Sequence, residues 1–229
     1  MAVNGGMWRE LTSHRPVAAI IDVDHTEPWC IEPWLPDVCD ALRRVLVQVV
    51  LVSEARRSTI DAVRGLAPGA WWYVEHGAWR YATNTWVGQR TRRELDELAS
   101  ELVSVLTPDV QLQRTAVSLV MLWGPHVAGE LAATAGDLFA RWAVKNPAYQ
   151  LTVGPTRVEV RLRSATKKAA VTWVRQRLPE VRCVLVGIDE AASTPLDIAV
   201  PSTHAHASLS LLAEIRAVAY PAEARQLVR

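Results

Sequence analysis

The sequence predicts an α/β fold in which a parallel-sheet core carries a smaller inserted α/β domain. Two nearly continuous apolar runs, residues 16–22 and 45–52, have the length and β-branched content of strands buried on both faces. A helical pattern separates them, and this strand, helix, strand alternation is typical of parallel sheets with right-handed crossovers. The alternation stops near residue 89 and resumes near residue 164, which indicates an insertion between them.

The first part of the predicted core contains three strands and two helices. The strand over residues 16–22 ends at an acidic cluster, so Asp22 lies at its carboxyl end. A helix is predicted over residues 36–44, and the second strand stops at the polar sequence Ser53-Glu54-Ala55-Arg56. A second helix over residues 58–66 and strand-like residues over 71–81, around Glu75-His76-Gly77, complete this part.

The inserted segment and the return to the core are predicted from the same periodicities. In the insertion we expect helices over residues 91–106 and 129–144, a strand over 116–123, and one or two strands over 149–162, broken at Gly154-Pro155. A helix over 166–178 and a strand over 181–187 then continue the core. These limits predict a core domain of residues 1–88 and 164–229 and an inserted cap domain of residues 89–163.

Composition excludes several classes of protein. Half of the 229 residues are hydrophobic, and 25 Lys and Arg residues nearly cancel 24 Asp and Glu residues. A chain with this balance buries a core and has no general attraction for nucleic acid or an anionic membrane. We therefore expect neither nucleic acid nor membrane as a partner, while the oligomeric state stays open.

Cysteine usage and the lack of targeting segments predict a cytoplasmic protein. Cys30, Cys39 and Cys183 cannot all pair and do not have metal-ligand spacing, which favours free thiols in a reducing compartment. The N-terminal residues lack a signal-peptide pattern, and the most apolar stretch is far shorter than the roughly 20 residues of a membrane helix.

Polar residues that follow the predicted strands are the candidates for chemistry, because ligands of open parallel sheets bind beyond the carboxyl ends of the strands. Asp22 and Asp24 follow the first strand, Ser53 the second, and Asp189 with Glu190 a later one; Lys167 opens a helix. Carboxylates suit a hard cation such as Mg²⁺, and a lysine with a hydroxyl suits a phosphate. This inventory fits phosphoryl transfer.

The same residues carry a resemblance to a known family. Asp22-Val23-Asp24-His25-Thr26 resembles the first motif of the haloacid-dehalogenase-like phosphatases. The chain is more narrowly similar to the trehalose-6-phosphate phosphatases, through a series of weaker motifs that occur in the same order over nearly the whole chain. These motifs are Ser53-Glu54-Ala55-Arg56, Glu75-His76-Gly77-Ala78, Glu159-Val160-Arg161 and Lys167.

The resemblance implies a Rossmann-like core of haloacid-dehalogenase type and a covalent mechanism. Asp22 would attack phosphorus to form an aspartyl-phosphate, and Asp24 would act as the acid and base. Ser53 and Lys167 would bind phosphoryl oxygens, and Mg²⁺ would be held by Asp22, Asp24 and Asp189.

The resemblance also implies a small-molecule sugar phosphate as the ligand, with trehalose 6-phosphate of trehalose biosynthesis as the first expectation. On the cap side, the residues implied to bind the sugar are His76, Glu159 and Arg161.

The chain departs from the family pattern at several positions. Ile188 stands where the first aspartate of a Gly-Asp-Asp motif is expected, His25 replaces a glycine, and Glu54 replaces another glycine where phosphate enters. The cap segment 113–123 lacks the family's charged residues. Two alternatives therefore stay open: a catalytically impaired pseudophosphatase with a regulatory or partner role, and a phosphatase for another small phosphorylated metabolite.

Each candidate residue also has a purely structural explanation. Asp22 and Asp24 could cap a turn, Ser53 a helix, and Lys167 could be solvated. Asp189 is either a ligand shifted by one residue or a remnant of a lost site, and Glu159 and Arg161 could form the polar face of a strand. His204 and His206 have metal-pair spacing, but we expect a solvated loop there.

Overall fold

The protein was analysed as a computed structural model that describes residues 16–24, 33–55, 57–77, 79–80, 89–103, 107–125, 129–188 and 197–219. The chain divides into two compact units, the first formed by residues 1–84 and 167–229 and the second by residues 85–166. Both units combine helices with a sheet, which confirms the predicted α/β class.

The elements of the described residues are numbered in chain order. The strands are β1 (Val17–Asp22), β2 (Val47–Ser53), β3 (Trp71–Val74), β4 (Trp79–Arg80), β5 (Val110–Arg114), β6 (Ser118–Trp123), β7 (Tyr149–Gly154), β8 (Arg157–Leu162), β9 (Arg182–Val186) and β10 (Ile198–Val200). The α-helices are α1 (Leu35–Arg44), α2 (Arg57–Val63), α3 (Gln89–Leu102), α4 (Gly129–Lys145), α5 (Lys167–Arg177) and α6 (Ala205–Ala219). Within the described part of the chain, no helix is both long and apolar enough to cross a membrane.

The first unit contains a six-stranded sheet in the order β10-β9-β1-β2-β3-β4. All neighbouring strands are parallel except β3 and β4. Asp22 of β1 is in register with Val52 of β2, and Ile21 is in register with Val186 of β9. The carboxyl ends of the three central strands therefore lie side by side, where a ligand site is expected in such a sheet.

Strand β1 is buried along its whole length because helices cover both faces of the sheet. Val17, Ala19 and Ile21 face the apolar cluster that includes α1, α2 and α6, and Ala18 and Ile20 face the cluster that includes α5. This explains why β1 is a continuous apolar run instead of an alternating one. Helix α5 leads into β9, so it begins at the edge of the sheet where the parallel strands end.

A buried ion pair ties α5 to the strands beside it. The Asp197 side chain, which is 1% exposed, pairs with the Arg175 guanidinium of α5. Its other oxygen, Oδ1, accepts a hydrogen bond from the backbone N–H of Cys183 in β9 at 3.2 Å. Asp197 immediately precedes β10, so one carboxylate joins α5, β9 and the start of β10, and it thereby supports the position of the helix that carries Lys167.

The second unit contains an antiparallel sheet in the order β5-β6-β8-β7. Helices α3 and α4 pack on one face, where Leu98 and Phe139 contribute to a cluster with Val158 and Val160 of β8. Since side chains alternate along a strand, Glu159 lies on the opposite face of the sheet from these two valines. This unit therefore has one apolar face covered by helices and one polar face.

Short elements account for the differences from the predicted secondary structure. The third strand ends at Val74 instead of continuing to residue 81, because Glu75–Gly77 form a 3-10 turn. Gly77 has a φ of 92°, and a Cβ at that position would lie 2.1 Å from the Tyr73 Oη atom, so the turn requires glycine there. Strands β5 and β10 were not predicted, since β5 alternates polar and apolar residues and β10 has only three residues.

The loop predicted at His204 and His206 is wrong for the second residue. His204 lies in a 3-10 turn, but His206 is already part of α6. Both side chains are exposed, and the His206 ring stacks on Trp34 with a centroid distance of 5.1 Å. The described contact of His206 is therefore this aromatic one.

Burial is expected to make two of the three thiols unreactive. Burial raises the pKa of Cys39 to about 12, against a smaller lowering by Arg43, and burial together with the Asp197 charge raises the pKa of Cys183 to about 12. Because only the thiolate reacts, a Cys30→Ser variant should resist a disulfide reagent at pH 8 until it is unfolded. Rapid labelling of two thiols in the native variant would contradict this prediction.

Candidate active site

The structure brings four of the predicted site residues together at the carboxyl edge of the first unit's sheet. Asp22 is the last residue of β1, Ser53 the last residue of β2, and Lys167 the first residue of α5. Asp24 follows β1 by two residues, and hydrogen bonds or ion pairs link all four side chains. The sequence predicted Asp22, Asp24 and Ser53 at this edge because they follow strands, and Lys167 because it opens a helix.

Asp22 forms the buried centre of this cluster. Its side chain is 0% exposed, and its Oδ2 atom lies 2.5 Å from the Lys167 Nζ atom. Its Oδ1 atom accepts a hydrogen bond from the Asp24 backbone N–H at 3.1 Å. A buried carboxylate is tolerated only when it is paired and hydrogen bonded, and here both of its oxygens have such partners.

Asp24 is held by the residues that follow β2. Its Oδ1 atom accepts a hydrogen bond from the Ser53 hydroxyl at 2.6 Å, and its Oδ2 atom accepts one from the Glu54 backbone N–H at 2.6 Å. The Ser53 hydroxyl in turn accepts a hydrogen bond from the Ala55 N–H at 3.0 Å. These contacts fix the orientation of the Asp24 carboxylate relative to Asp22.

Lys167 is the cation at the centre of the described carboxylates. Besides Asp22, its Nζ atom lies 3.4 Å from Asp24 Oδ2 and 3.8 Å from Glu54 Oε1. Burial by itself lowers the pKa of Lys167, but the hydrogen bond to Asp22 and the charges of the three carboxylates outweigh burial, so the pKa is raised. Lys167 therefore remains positively charged at neutral and mildly basic pH.

From the sequence, Glu54 was noted only because it replaces a glycine of the family motif, and no role was predicted for it. In the structure its carboxylate belongs to the Lys167 cluster and its backbone positions Asp24. The position of Glu54 directly after Ser53 could have indicated this role. A side chain just beyond the end of a strand reaches the site if the chain turns toward the neighbouring strand.

The donors of this cluster fit a divalent cation in chemistry, although the described residues do not complete a site. Three carboxylates, from Asp22, Asp24 and Glu54, surround the single ammonium of Lys167 in the described cluster, and carboxylate oxygens are the ligands that Mg²⁺ prefers. A divalent cation would balance the excess negative charge. Among the described residues, no three His, Cys, Asp or Glu side chains are grouped so that they could hold a metal ion.

The third predicted metal ligand, Asp189, lies outside the described residues, as do Glu190, His25 and Arg56. Its neighbour Ile188 is described, is 5% exposed, and packs in the apolar cluster between the sheet and α5. Gly187, with a φ of 69°, turns the chain just before it. Ile188 therefore serves the core and offers no ligand atom.

The candidates for sugar binding lie in other parts of the structure. The backbone of His76 is in the Glu75–Gly77 turn of the first unit, and its side chain lies outside the described part. Glu159 and Arg161 lie two residues apart on β8 of the second unit, so they share one face of that sheet.

Two residues that the sequence did not single out bind these β8 side chains. Arg157 forms an ion pair with Glu159, which is buried. The Gln150 amide oxygen, in the orientation its neighbours favour, accepts hydrogen bonds from Arg161 Nη2 at 2.6 Å and Nε at 3.2 Å. The sequence could have indicated the Arg157–Glu159 ion pair, because charges of opposite sign alternate on one face of this strand at positions 157, 159 and 161.

Comparison with solved structures identifies the fold. The C-terminal domain of a C. albicans trehalose-6-phosphate phosphatase superimposes with a TM-score of 0.61 at 13% identity, covering 93% of this chain and 97% of that one. The chain has the fold of the trehalose-6-phosphate phosphatases. An Aspergillus fumigatus trehalose-6-phosphate phosphatase superimposes with a TM-score of 0.59 at 15% identity, covering 93% and 98% of the two chains.

The same fold also occurs in a protein named for a different substrate. The Plasmodium falciparum IMP-nucleotidase superimposes with a TM-score of 0.58 at 11% identity, covering 91% of this chain and 70% of that one. No protein-family model matches the chain, and no curated protein matches it by sequence. The comparisons therefore establish the fold that these phosphatase structures share, and the activity is argued from the site.

Proposed function

We propose that the protein is a Mg²⁺-dependent phosphoric monoester hydrolase that acts on a phosphorylated sugar, with trehalose 6-phosphate as the first candidate substrate. The observation that carries the proposal is the cluster of Asp22, Asp24, Ser53 and Lys167, which come from three separate parts of the chain and are linked by contacts of 2.5–3.4 Å. A turn or helix cap explains each residue alone, but not the convergence of all four.

The cluster supports a two-step displacement. In the first step, an Asp22 carboxylate oxygen forms a bond to phosphorus while the ester P–O bond breaks, and Asp24 delivers a proton to the departing sugar oxygen. In the second step, Asp24 takes a proton from a water molecule that attacks phosphorus, which releases inorganic phosphate and restores Asp22. Asp24 suits this role because Ser53 and the Glu54 N–H orient it beside the nucleophile.

Lys167 provides positive charge for the phosphoryl oxygens, and the Ser53 hydroxyl can donate its one hydrogen to them when it releases Asp24 Oδ1. The raised pKa of Lys167 keeps its charge available over the neutral range. Mg²⁺, for which Asp22, Asp24 and Asp189 are the candidate ligands, supplies further charge neutralisation and orientation when bound.

Glu159, Arg161 and His76 are our candidates for binding the sugar. Their assignment depends on motif similarity, and the chemistry of the first two supports it, because a carboxylate and a guanidinium on one sheet face can both bind hydroxyl groups. Gln150 holds Arg161 in place, so Gln150→Ala should weaken substrate binding indirectly if this assignment is right.

The test is phosphate release from a panel of phosphorylated sugars and nucleotides, measured with Mg²⁺ and with a chelator, for the wild type and Asp22→Asn. We expect release from at least one sugar phosphate that requires both Asp22 and Mg²⁺. Lys168→Met is a matched control, since Lys168 is the exposed neighbour of Lys167. Release that survives both Asp22→Asn and the chelator would overturn the proposal.

Ser53→Ala is expected to weaken substrate binding and raise KM by about tenfold, because one hydrogen bond to a charged phosphoryl group is worth roughly 1.5 kcal/mol. The loss of the hydroxyl also frees Asp24 Oδ1, so kcat should fall as well. Steady-state kinetics on the best substrate of the panel checks this result. Unchanged KM and kcat would show that Ser53 only ends β2.

A second candidate is a catalytically impaired relative that binds a phosphorylated ligand without turning it over. The burial of Ile188, at the position where the resemblance implies a metal-binding carboxylate, favours it. This candidate predicts no phosphate release from any member of the panel, together with measurable binding of a sugar phosphate. The panel combined with a calorimetric titration therefore separates the two candidates.

A further inference from the structure

The Lys167 ammonium lies among three carboxylates and donates a hydrogen bond to one of them, Asp22. The distances from Nζ are 2.5 Å to Asp22, 3.4 Å to Asp24 and 3.8 Å to Glu54. A phosphoryl oxygen that binds Lys167 therefore comes close to three carboxylate charges and competes with them for the ammonium.

The three carboxylates differ in how firmly they are held. Asp22 is fully buried, and Asp24 has hydrogen bonds to both of its oxygens. The Glu54 side chain is the farthest from Nζ and is 43% exposed, although its backbone N–H is anchored on Asp24. Displacement of the Glu54 carboxylate leaves the hydrogen bonds that orient Asp24 intact, so among the three carboxylates it is the one that a phosphoryl group displaces with the least disturbance.

We propose that the Glu54 carboxylate competes with the phosphoryl group of the ligand for Lys167 and thereby lowers the affinity of the site for phosphate dianions. The inference depends on the proposed function, because it requires phosphoryl oxygens to bind at Lys167. It assigns to Glu54 a role in ligand selection: a ligand needs further contacts through the rest of its structure to displace this side chain.

The charge of Glu54 determines how much this residue weakens phosphate binding. A carboxylate a few ångströms from a dianion opposes binding even in a water-like environment, and the opposition decreases as salt screens the charges. Glu54→Gln keeps the length of the side chain and the backbone N–H, so it isolates the charge, and we expect it to bind phosphate about tenfold more tightly.

The experiment measures the dissociation constant of inorganic phosphate by isothermal titration calorimetry at fixed pH, in low and high salt. The proteins are the wild type, Glu54→Gln, Glu54→Gly and Lys167→Met. Glu97→Gln is the matched control, because Glu97 is an exposed residue of α3 and its replacement changes the net charge by the same amount. Circular dichroism confirms that each variant is folded.

The inference predicts tighter binding in both Glu54 variants, a gain that shrinks in high salt, and no gain in Glu97→Gln. If the Glu54 variants bind phosphate no more tightly than the wild type while Lys167→Met loses binding, the inference is overturned and the proposed function stands. If the wild type and both Glu54 variants bind no phosphate at all, the inference and the proposed function fail together.

Discussion

Asp22→Asn is expected to reduce phosphate release by about 10⁴-fold or more, because an amide cannot form the covalent intermediate. The substitution keeps the size of a side chain that is fully buried at the end of β1. The amide oxygen can still accept the hydrogen bond that Lys167 donates to Asp22 in the wild type. The amide nitrogen would then face the Asp24 N–H, so the stability of the variant is measured beside its activity to separate loss of the nucleophile from unfolding.

The measurement is phosphate release at saturating substrate, with thermal unfolding recorded on the same samples. Lys168→Met should retain the wild-type rate, because its side chain is exposed on the first turn of α5. An Asp22→Asn protein that is folded and retains more than about a tenth of the activity would show that Asp22 is not the nucleophile.

Asp197→Ala is expected to lower the free energy of unfolding by about 2 kcal/mol, because it leaves a buried backbone N–H without its acceptor and removes a charge that faces the partly exposed Arg175 guanidinium. The change removes the partner of Arg175 and leaves the Cys183 backbone N–H without its carboxylate acceptor. Because Asp197 joins α5, β9 and β10, the loss weakens the part of the first unit that positions Lys167.

Urea unfolding at pH 7 checks this prediction. Asp197→Asn is the matched control: its amide oxygen can still accept from the Cys183 N–H, so we expect a smaller loss than for alanine. Arg175→Met, alone and combined with Asp197→Ala, completes a double-mutant cycle. Additive effects of the two substitutions would contradict a direct contribution of this ion pair.

The parallel core could be predicted because its central strands are long, apolar runs whose burial on two faces leaves a clear sequence pattern. Strands β5 and β10 escaped prediction because the former has a polar face and the latter only three residues. The early end of β3 was also missed, since the turn at Glu75–Gly77 is decided by the close approach of Gly77 to Tyr73.

The members of the candidate site could be found from the same pattern, because parallel strands bring the residues at their carboxyl ends to one edge. Their contacts could not be found in this way. That Ser53 and the Glu54 N–H both bind Asp24, and that the Glu54 side chain reaches the Lys167 cluster, depends on how the chain turns after β2. Periodicity carries no information about such a turn.

The sequence by itself determined the α/β class, since it follows from the apolar runs. It also singled out the strand-end residues Asp22 and Ser53, the helix-start residue Lys167, and the isoleucine at position 188, through their places along the chain and the order of the motifs. Only the tertiary structure decided that Ile188 packs in the core and that Lys167 is shared among three carboxylates. The physical reason is that hydrophobic burial involves whole segments and therefore produces a pattern of apolar residues that can be recognised in the sequence. Ion pairs instead depend on distances of a few ångströms between residues that are far apart in the chain.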